Sequence, residues 1–378
     1  MTNSEHNNKE QLILLYGGRS GEHEISMISA GYVYRTLDKE KYDVTPIWID
    51  HSGHWFLTDK KTLSEYKNEN GALPRGNIPC ALHHSENGNP VLSSDSGGTR
   101  IVNFAFNLLH GTYGEDGRMQ GFLDTLGIPS SGSGVAGSVL NINKIVTKKI
   151  LKASGIPQVN FEGMTREQYQ NSPEKSMAWV EKNLRYPIFT KTVSLGSSVG
   201  ISKCKNREEL KNGIEEALGF DNQIILEEGK SVRELEAAVL GNLENIRISE
   251  VGEIIVKSEF YSYDAKYSDP DAAELQIPAK ISPKLKAEIE ELIRKTCFLL
   301  QCEGYARVDL FFDENEERVY FNEINTIPGF TMASMFPRLW RAAGMKDSEV
   351  IDEIVRLGYE RFQKNARLNY EYQGAVQI

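Results

Sequence analysis

Two short triplets near the C-terminus hold the residues best suited to chemistry in this chain. They are Arg307-Val-Asp309 and, beginning fourteen residues after Asp309, Glu323-Ile-Asn325. Strong β-forming residues surround both triplets and a polar run separates them, a pattern that predicts a β-hairpin. If the two strands pair about Glu316, Asp309 lies opposite Glu323, and the four polar side chains share one face.

Two carboxylates that face each other across a hairpin repel, because their Cβ atoms are only about 5 Å apart. Such a pair in otherwise apolar strands indicates a bound cation. A ligand set made only of oxygen atoms favours Mg²⁺, which proteins usually share with substrate phosphates. The alternative is a solvated polar face balanced by Arg307. We favour the first interpretation, which predicts metal-assisted phosphoryl chemistry.

The composition limits the classes of protein to consider. The chain has 378 residues, enough for two or three domains, and its 43 Lys and Arg against 53 Asp and Glu give a net charge of −10. This acidic balance gives no support to a nucleic-acid or anionic-membrane surface. Four cysteines without C-x-x-C spacing indicate reduced thiols, not a zinc site or a disulfide framework. No apolar run reaches the roughly 18–20 residues of a membrane span, so we expect a cytoplasmic protein.

Alternating strands and helices organise the first part of the chain. Strands are predicted at 11–16, 42–49 and 101–108, with a helix from about residue 25, which favours a parallel sheet covered by helices. The turn-rich segment 129–134 is a plausible boundary. Further predicted elements are helices at 144–153, 207–218 and 283–300 and strands at 187–191, 223–227, 235–240 and 253–256. The predicted domains are 1–140, 141–227 and 228–378, the last with a mobile loop at 258–278 and the metal hairpin at 305–325.

Two glycine-rich stretches follow strands of the first domain. The stretch Gly17–Glu24 opens a helix but lacks the G-x-G-x-x-G spacing of a dinucleotide site. Glu22 could hold a substrate ammonium group there, although Glu22 and Glu24 could equally complement the helix dipole. The stretch His110–Gly121 lies at the sheet edge where ligands bind. His110 could bind or orient substrate, and its alternative is a loop histidine whose hydrogen bonds are all made within the protein.

Lysines beside small or aromatic residues suggest phosphate contacts. Lys191 ends a predicted strand and is followed by the loop Gly196–Gly200, whose backbone N–H groups could approach a phosphate. This is not a Walker A loop, and a flexible hairpin turn is the alternative. Lys144, on a helix, could add a second charge unless it is merely solvated. Lys266 and Tyr267 in the long loop suit a lid that excludes water while the lysine reaches a phosphate.

Two further segments suit a nucleotide base and an oxyanion. The apolar strand that ends at Glu227 and Glu228 could give adenine a backbone edge and an apolar slot, and Glu234 could hold ribose hydroxyls. Solvated acids at a strand end are the alternative. After the hairpin, the N–H of Gly329 could face an oxyanion, and Ser334 stands at the apparent start of a helix.

The ordered set of these segments closely resembles the D-alanine–D-alanine ligases of the ATP-grasp superfamily. Each motif alone is weak to moderate, but the set runs in family order from residue 11 to about 336. The segments that carry the resemblance are 17–26, 110–121, 191–200, 266–267, 307–309 and 323–329.

The resemblance implies an α/β fold of the ATP-grasp type, with an N-terminal parallel-sheet domain and two ATP-grasp subdomains that clamp the nucleotide. It implies ATP-dependent joining of two D-alanines through an acyl-phosphate, for peptidoglycan precursors. The implied cofactors are ATP as co-substrate and two Mg²⁺ or Mn²⁺ ions. D-alanine and ATP are the implied partners, without nucleic acid or membrane, and the implied assembly is a homodimer.

The resemblance also assigns site residues by position. The implied metal ligands are Asp309, Glu323 and Asn325. The implied phosphate contacts are Lys144, Lys191 and Lys266. Adenine and ribose would be served by Glu227 and Glu234, at the strand end that includes Glu228. Glu22 would bind the ammonium group of the first D-alanine and Arg307 its carboxylate.

Arg307 and the Gly329 N–H would also stabilise the tetrahedral oxyanion that forms when the second amine attacks the acyl-phosphate. Ser334 matches the position that receives the second D-alanine's carboxylate, with Met335 beside it in the substrate site. Ser197 and Tyr267 match a hydrogen-bonded link from the phosphate loop to the lid, with Glu22 as its third member. A tyrosine at the lid position resembles the peptide-forming enzymes, since relatives that make the D-alanine–D-lactate ester typically depart there.

Three alternatives stay open at this point. The nearest is a D-alanine–D-lactate or D-alanine–D-serine ligase, or another ATP-grasp carboxylate–amine ligase. A nucleotide-binding regulator without turnover is disfavoured because no catalytic position of the family is missing. A nicotinamide oxidoreductase is disfavoured by the absent dinucleotide motif.

Overall fold

In the computed structural model the chain forms three β-sheets flanked by helices. The structure describes four stretches of the chain: 9–66, 74–196, 200–256 and 273–369. Four features of the prediction fall outside them: Ser197, Lys266, Tyr267 and most of the 258–278 loop. Within the described stretches, no helix is both long enough and apolar enough to cross a membrane.

The first sheet is mixed. Its strands are β1 Glu10–Gly17, β2 Tyr42–Ile49, β3 Trp55–Leu57, β4 Ile78–His84, β5 Pro90–Ser94, β6 Thr99–Ile101 and β7 Phe104–Asn107. They lie in the order β6-β5-β4-β3-β2-β1-β7. β1 pairs in parallel with β2 and with the edge strand β7, which confirms the predicted parallel pairing at this end of the sheet. The other strands extend the sheet through antiparallel pairs, with short connections except between β3 and β4, where residues 58–77 intervene.

Three helices accompany this sheet, α1 His23–Thr36, α2 Lys60–Glu65 and α3 Arg118–Thr125, and α4 Val135–Ile142 follows them in the chain. The turn from β1 into α1 requires glycine at Gly17, whose φ is +87°. A Cβ atom on Gly17 would lie 2.5 Å from the carbonyl oxygen of Ile49. The Ser26 hydroxyl, inside α1, accepts a hydrogen bond from the Gly17 N–H at 2.8 Å. The first turn of α1 is therefore held directly against the end of β1.

The second sheet is antiparallel and has four strands, β8 Phe161–Thr165, β9 Ile188–Thr192, β10 Ser202–Cys204 and β11 Gln223–Glu228, in the order β10-β9-β11-β8. Its helices are α5 Lys144–Ala153, α6 Arg166–Asn171, α7 Pro173–Asn183 and α8 Arg207–Phe220. α5 begins and ends at the predicted residues, and the Asn143 side chain caps it by accepting a hydrogen bond from the Val146 N–H.

The third sheet is also antiparallel, with the order β14-β13-β12-β15-β16. Its strands are β12 Arg233–Asn242, β13 Asn245–Val256, β14 Ala273–Gln276, β15 Glu303–Asp313 and β16 Arg318–Asn325. Three helices complete the described chain: α9 Pro283–Leu299, α10 Met335–Ala342 and α11 Asp347–Ala366.

The predicted hairpin register is confirmed where it matters for chemistry and is wrong near the turn. Asp309 pairs with Glu323, as predicted. The next pair is Leu310 with Phe321, so Asn322 is an extra residue in β16. This bulge shifts the pairing by one residue toward the turn, where the predicted centre at Glu316 does not apply.

The apolar core joins the first and third sheets. One continuous buried cluster combines side chains of β1, α1 and β7 with side chains of β12, β15, α10 and α11, including Tyr16, Phe106, Tyr305, Phe330 and Phe336. The rings of Tyr305 and Phe336 meet edge to face, with centroids 5.6 Å apart. The second sheet has a separate core, formed with α7 and α8. Tyr305 of β15 thus ties the hairpin to the first sheet, while the other buried hairpin residues lie in a further core with α5 and α9.

Candidate active site

The opposed carboxylates lie in a row of acids that crosses three neighbouring strands. Glu236 of β12 pairs with Asp309 of β15, which pairs with Glu323 of β16. Two residues along the strands, and so on the same face, Arg307 pairs with Asn325. Asp309 is only 8 % exposed. The predicted group of polar residues is therefore assembled on one face, and the alternative of a solvated face does not describe Asp309.

Basic groups neutralise this row from two sides. The Arg307 guanidinium donates to both carboxylate oxygens of Asp309, at 2.7 Å from Nε and 2.6 Å from Nη2. Its Nε also lies 3.0 Å from Oε2 of Glu236. Burial opposes the charged form of Arg307, but these two carboxylates raise its pKa well above the usual value. The Nζ atom of Lys144 lies 3.5 Å from Oε2 of Glu323.

The donor atoms fit a divalent cation that is shared with a ligand. Asp309 and Glu323 supply carboxylate oxygens, and Asn325, whose Nδ2 donates to Asp309 at 3.1 Å, supplies an amide oxygen. No group of three His, Cys, Asp or Glu side chains suited to a metal occurs in the described stretches. A hard cation here would complete its shell with phosphate and water oxygens, as Mg²⁺ does at nucleotide sites.

A second charged group lies between α5 and the second sheet. The Glu227 carboxylate is 3 % exposed and contacts two lysines, with Lys148 Nζ at 2.6 Å from Oε1 and Lys191 Nζ at 2.6 Å from Oε2. Burial would raise the pKa of Glu227, but the two lysines lower it to about 2. Glu227 is therefore not the solvated strand-end acid of the alternative interpretation. Sequence analysis missed Lys148, although it stands one helical turn after Lys144.

The other predicted nucleotide acids lie apart from this group or at its rim. Glu228 follows Glu227 in β11 and so points to the opposite face of the sheet, where its Oε2 accepts a hydrogen bond from Asn160 Nδ2 at 3.2 Å. Its side chain is thus not brought to the cleft. Glu234 lies near enough to Lys191 to raise the pKa of that lysine, behind the larger effect of Glu227.

Glu22 lies where the two glycine-rich stretches meet the phosphate loop. It is buried at the N-terminus of α1 and makes no side-chain cap to the helix. A Cβ atom on Gly111, whose φ is +69°, would lie 2.7 Å from Oε2 of Glu22, and one on Gly196 would lie 3.1 Å from it. The close approach of this carboxylate requires glycine at Gly111, and at Gly196 a side chain would leave it little room. Ser197 and Tyr267, its predicted partners, lie outside the described residues.

His110 has hydrogen-bond partners within the protein on both ring nitrogens. Nδ1 lies 2.8 Å from the carbonyl oxygen of Ile327 and Nε2 lies 3.1 Å from Oγ of Ser29. Burial lowers the pKa of His110, and the nearby Glu22 carboxylate opposes that shift. The observed contacts match the alternative of a histidine satisfied by protein groups, which here ties the first sheet to the loop that leaves the hairpin.

Glu115, which sequence analysis did not single out, joins the same two loops. Its carboxylate accepts the Gly111 N–H at 2.8 Å and the Ile327 N–H at 2.9 Å. The spacing of Glu115 from His110 in one short turn was the only available signal, since its partner lies more than two hundred residues away. Glu115 and His110 together hold the 325–331 segment against the first sheet.

Gly329 and Ser334 face each other before α10. A Cβ atom on Gly329 would lie 3.2 Å from Oγ of Ser334. Ser334 is the N-cap of α10 but makes no side-chain cap, and its Oγ lies 2.7 Å from Oγ1 of Thr331. A helix N-terminus with a nearby hydroxyl suits a carboxylate. Met335 is buried in the apolar core, so its position gives no support to the predicted contact with substrate.

These elements surround a small cavity to which loops and strand ends near all three sheets contribute. Its lining includes Gly111, Glu115, Lys144, Gly196, Glu323 and Asn325. A larger polar cavity lies beside β1 and β2, but its Lys60 is paired with Asp43 at 2.7 Å and its Lys9 donates to a backbone carbonyl. The smaller cavity is lined by Lys144, Glu323 and Asn325 of the charged hairpin group, and we assign the active site to this region.

Comparison with known proteins agrees with this arrangement. The family model for the D-ala D-ala ligase N-terminus matches residues 11–133, and that for the C-terminus matches residues 150–356. The D-alanine–D-alanine ligase of Natranaerobius thermophilus is 41 % identical over 95 % of this chain and 97 % of its own length. That of Clostridium novyi is 40 % identical over 94 % of this chain and 100 % of its own length.

Solved structures give the same result for the fold. The D-alanine–D-alanine ligase of Coxiella burnetii superposes with a TM-score of 0.80 at 31 % identity, covering 95 % of this chain and 96 % of the other. The VanG D-Ala:D-Ser ligase of Enterococcus faecalis gives a TM-score of 0.78 at 30 % identity, covering 93 % and 99 %. The fold and site thus define an ATP-grasp ligase, and the predicted fold class is confirmed. Within that class, the chain belongs to the D-alanine–D-alanine ligase family.

Proposed function

We propose that this protein is a D-alanine–D-alanine ligase that uses ATP and a divalent metal ion to join two D-alanines for peptidoglycan precursors. The observation that carries the proposal is the pair Asp309 and Glu323, opposed on adjacent strands and flanked by Arg307 and Lys144. Phosphoryl transfer to a carboxylate needs charge neutralisation around the reacting oxygens, which this arrangement supplies.

Asp309, Glu323 and Asn325 would hold two Mg²⁺ or Mn²⁺ ions, and bound metal would neutralise charge on the transferring phosphoryl group. Lys144 and Lys191 would contact phosphate oxygens, together with Lys266 from the loop. Glu227 and Glu234 would serve adenine and ribose, and β11 at Glu228 would contribute backbone only.

The amino acids would be bound by groups at both ends of the cavity. Glu22 would receive the ammonium group of the first D-alanine, and Arg307 its carboxylate, through guanidinium donors beyond the two given to Asp309. The carboxylate of the second D-alanine would bind at Ser334 and the N-terminus of α10. When its amine attacks the acyl-phosphate, Arg307 and the Gly329 N–H would stabilise the oxyanion, and phosphate would leave.

Other parts of the proposal concern organisation. The units would be 1–140, 141–227 and 228–378, with the 258–278 loop as a lid that links to Glu22 through Ser197 and Tyr267. His110 would orient the first D-alanine by fixing the loop at Ile327, and Met335 would support Ser334 from the core. We further propose a homodimer that works in the cytoplasm with D-alanine and ATP as its small-molecule partners.

D-alanine is favoured as the second substrate because the curated relatives near 40 % identity over nearly the whole chain are D-alanine–D-alanine ligases. The test measures phosphate release from ATP and Mg²⁺ with D-alanine, L-alanine, or D-alanine plus D-lactate or D-serine, and identifies the products by mass. We expect release that requires D-alanine and yields D-alanyl-D-alanine as the main product. Release that is independent of D-alanine, or a mixed ester or D-serine product in excess, would contradict the proposal.

A further inference from the structure

Lys148 has no role in the proposed ligation reaction, yet it is one of the most deeply buried charged side chains. It is 2 % exposed and stands on α5 one turn after Lys144. Whereas Lys144 contacts Glu323 of the hairpin, the Nζ atom of Lys148 lies 2.6 Å from Oε1 of Glu227. α5 therefore presents one lysine to each half of the cleft.

The Glu227 carboxylate shares its two oxygens between Lys148 and Lys191, at 2.6 Å each. A buried carboxylate is strongly destabilising when its cationic partner is removed. If Lys191 transfers to a phosphate oxygen, as proposed above, Glu227 keeps a cationic partner only because Lys148 stays in place. Two lysines on one carboxylate thus allow one of them to leave.

We propose that Lys148 is a positioning residue of the nucleotide site, which holds the Glu227 carboxylate ionised and in place while Lys191 moves to the ATP phosphates. The inference rests on the proposed function, since it assumes that Lys191 contacts phosphate and that Glu227 faces adenine. It also assigns Lys148 a part in base selection. A fixed carboxylate accepts a hydrogen bond from the 6-amino group of adenine and repels the 6-oxo group of guanine.

Lys152 provides a matched control for this inference. It lies one turn further along α5, and its Nζ lies 5.6 Å from the centre of the Phe161 ring, against 5.9 Å for Lys148. Lys152 is exposed, and no carboxylate of the described residues lies within ion-pair distance of it. The two lysines thus share a helix and an aromatic neighbour but differ in the Glu227 contact.

The test compares Lys148→Met with Lys152→Met in the full chain. Binding of ADP and of GDP with Mg²⁺ is measured by calorimetry, KM values for ATP and D-alanine are measured by phosphate release, and thermal unfolding checks the fold. In Lys148→Met we expect ADP affinity to fall about tenfold or more, a coupling usual for groups in one ionic network. The preference for ADP over GDP should narrow, and the KM for D-alanine should change less than about twofold. Lys152→Met should behave as wild type.

A double-mutant cycle with Glu227→Gln separates positioning from packing. In a Glu227→Gln background there is no carboxylate to hold, so adding Lys148→Met should leave ADP affinity within about twofold. If Lys148→Met alone fails to fold, the comparison of Glu227→Gln with the double variant can still be made. The double variant has no buried carboxylate without a cationic partner, so it should fold.

Three results of these measurements would contradict the role proposed for Lys148. Wild-type ADP affinity in Lys148→Met overturns the inference, and so does an equal loss in the presence and absence of Glu227, which indicates packing only. Equal changes in the KM for ATP and for D-alanine would overturn it as well. Failure of the proposed function is distinguishable, because wild-type protein would then show no D-alanine-dependent phosphate release, whatever the variants do.

Discussion

The two sides of the active site are attached to the rest of the molecule in different ways. The hairpin of β15 and β16 takes part in two apolar cores: Tyr305 belongs to the core that the first and third sheets share, and the other buried hairpin residues, including Val308 and Phe321, pack with α5 and α9. The second sheet has its own core and reaches α5 through a cluster of four buried apolar residues, Ile145, Phe161, Val193 and Ile225. Beyond that cluster, its contacts toward the cleft include the ion pairs of Glu227 with Lys148 and Lys191.

This difference indicates that the two sides of the active site have different roles. Apolar packing fixes the hairpin and the loops around Glu22 in a geometry that does not depend on a ligand, which suits the metal ligands and the amino-acid site. Ion pairs on the nucleotide side can be exchanged for contacts to a phosphate, since an ammonium group is satisfied by either anion. The ion pairs of the nucleotide side should therefore rearrange more than the apolar contacts of the hairpin when a ligand binds.

The largest effect should come from the hairpin carboxylates. Asp309→Asn or Glu323→Gln removes metal charge without removing volume, so we expect turnover to fall by about a thousandfold or more while the fold stays intact. Glu314→Gln, an exposed acid at the hairpin turn, is the control and should keep full activity. Near-normal turnover in either site variant would remove the metal assignment.

Whether the two cores unfold independently can be tested with one cavity-forming substitution in each core. Phe336→Ala, in the shared core, and Ile214→Ala, in the core of the second sheet, should each cost about 2–5 kcal/mol. Hydrogen exchange read by mass spectrometry should show lost protection in the first and third sheets for Phe336→Ala. For Ile214→Ala the loss should be confined to the second sheet. Uniform loss across all three sheets in both variants would show one cooperative unit and end the comparison.

The pH dependence of stability should reveal the Glu227 cluster. The lysines lower the pKa of Glu227 from 4.5 to about 2, so its contribution is fully present above 4.5 and is lost as the pH falls toward 2. The stability advantage of wild type over Glu227→Gln should be up to about 3 kcal/mol at pH 7 and should shrink between pH 4.5 and 2. Urea unfolding of both proteins at several pH values measures it. A difference that does not vary with pH would contradict the ionised cluster.

The smallest effect on stability should come from removing an ion pair at the surface. Such a pair serves as a comparison for the buried pairs of Glu227. Glu360 on α11 lies 3.0 Å from Arg356 and 3.3 Å from Lys364, all on the surface. Glu360→Gln should change the free energy of unfolding by less than about 0.5 kcal/mol and leave turnover unchanged. A loss comparable to that of Glu227→Gln would mean that burial does not govern these pairs.

How far sequence analysis could go depended on the distance between partners along the chain. The pairing of Asp309 with Glu323 follows from the two-residue period of a strand and from one local turn. It could therefore be predicted down to the individual residues. The bulge at Asn322 was not, because nothing in the local β-pattern marks an extra residue. The approach of Lys148 to Glu227 joins residues seventy-nine positions apart, and no periodicity links α5 to β11.

The same reason explains the loop contacts. Glu115 and His110 bind the backbone of Ile327, and a backbone partner leaves no trace in side-chain patterns. Met335 shows the converse, since its place beside Ser334 in the sequence suggested a substrate contact, whereas the helix turns it into the core. Successive residues at a helix start face different directions, and only the packing of α10 decides which one faces the cavity.

By itself, the sequence determined which functional groups are present and their order along the chain. These groups are the acidic hairpin with its arginine and the glycine-rich turns that follow strands. These depend on local geometry and on residue type. Tertiary structure alone decided that Lys148 and Lys191 share one carboxylate, that Tyr305 joins the hairpin to the core of the first sheet, and that the second sheet keeps its own core. Those outcomes depend on burial and on contacts between distant segments, which no local pattern contains.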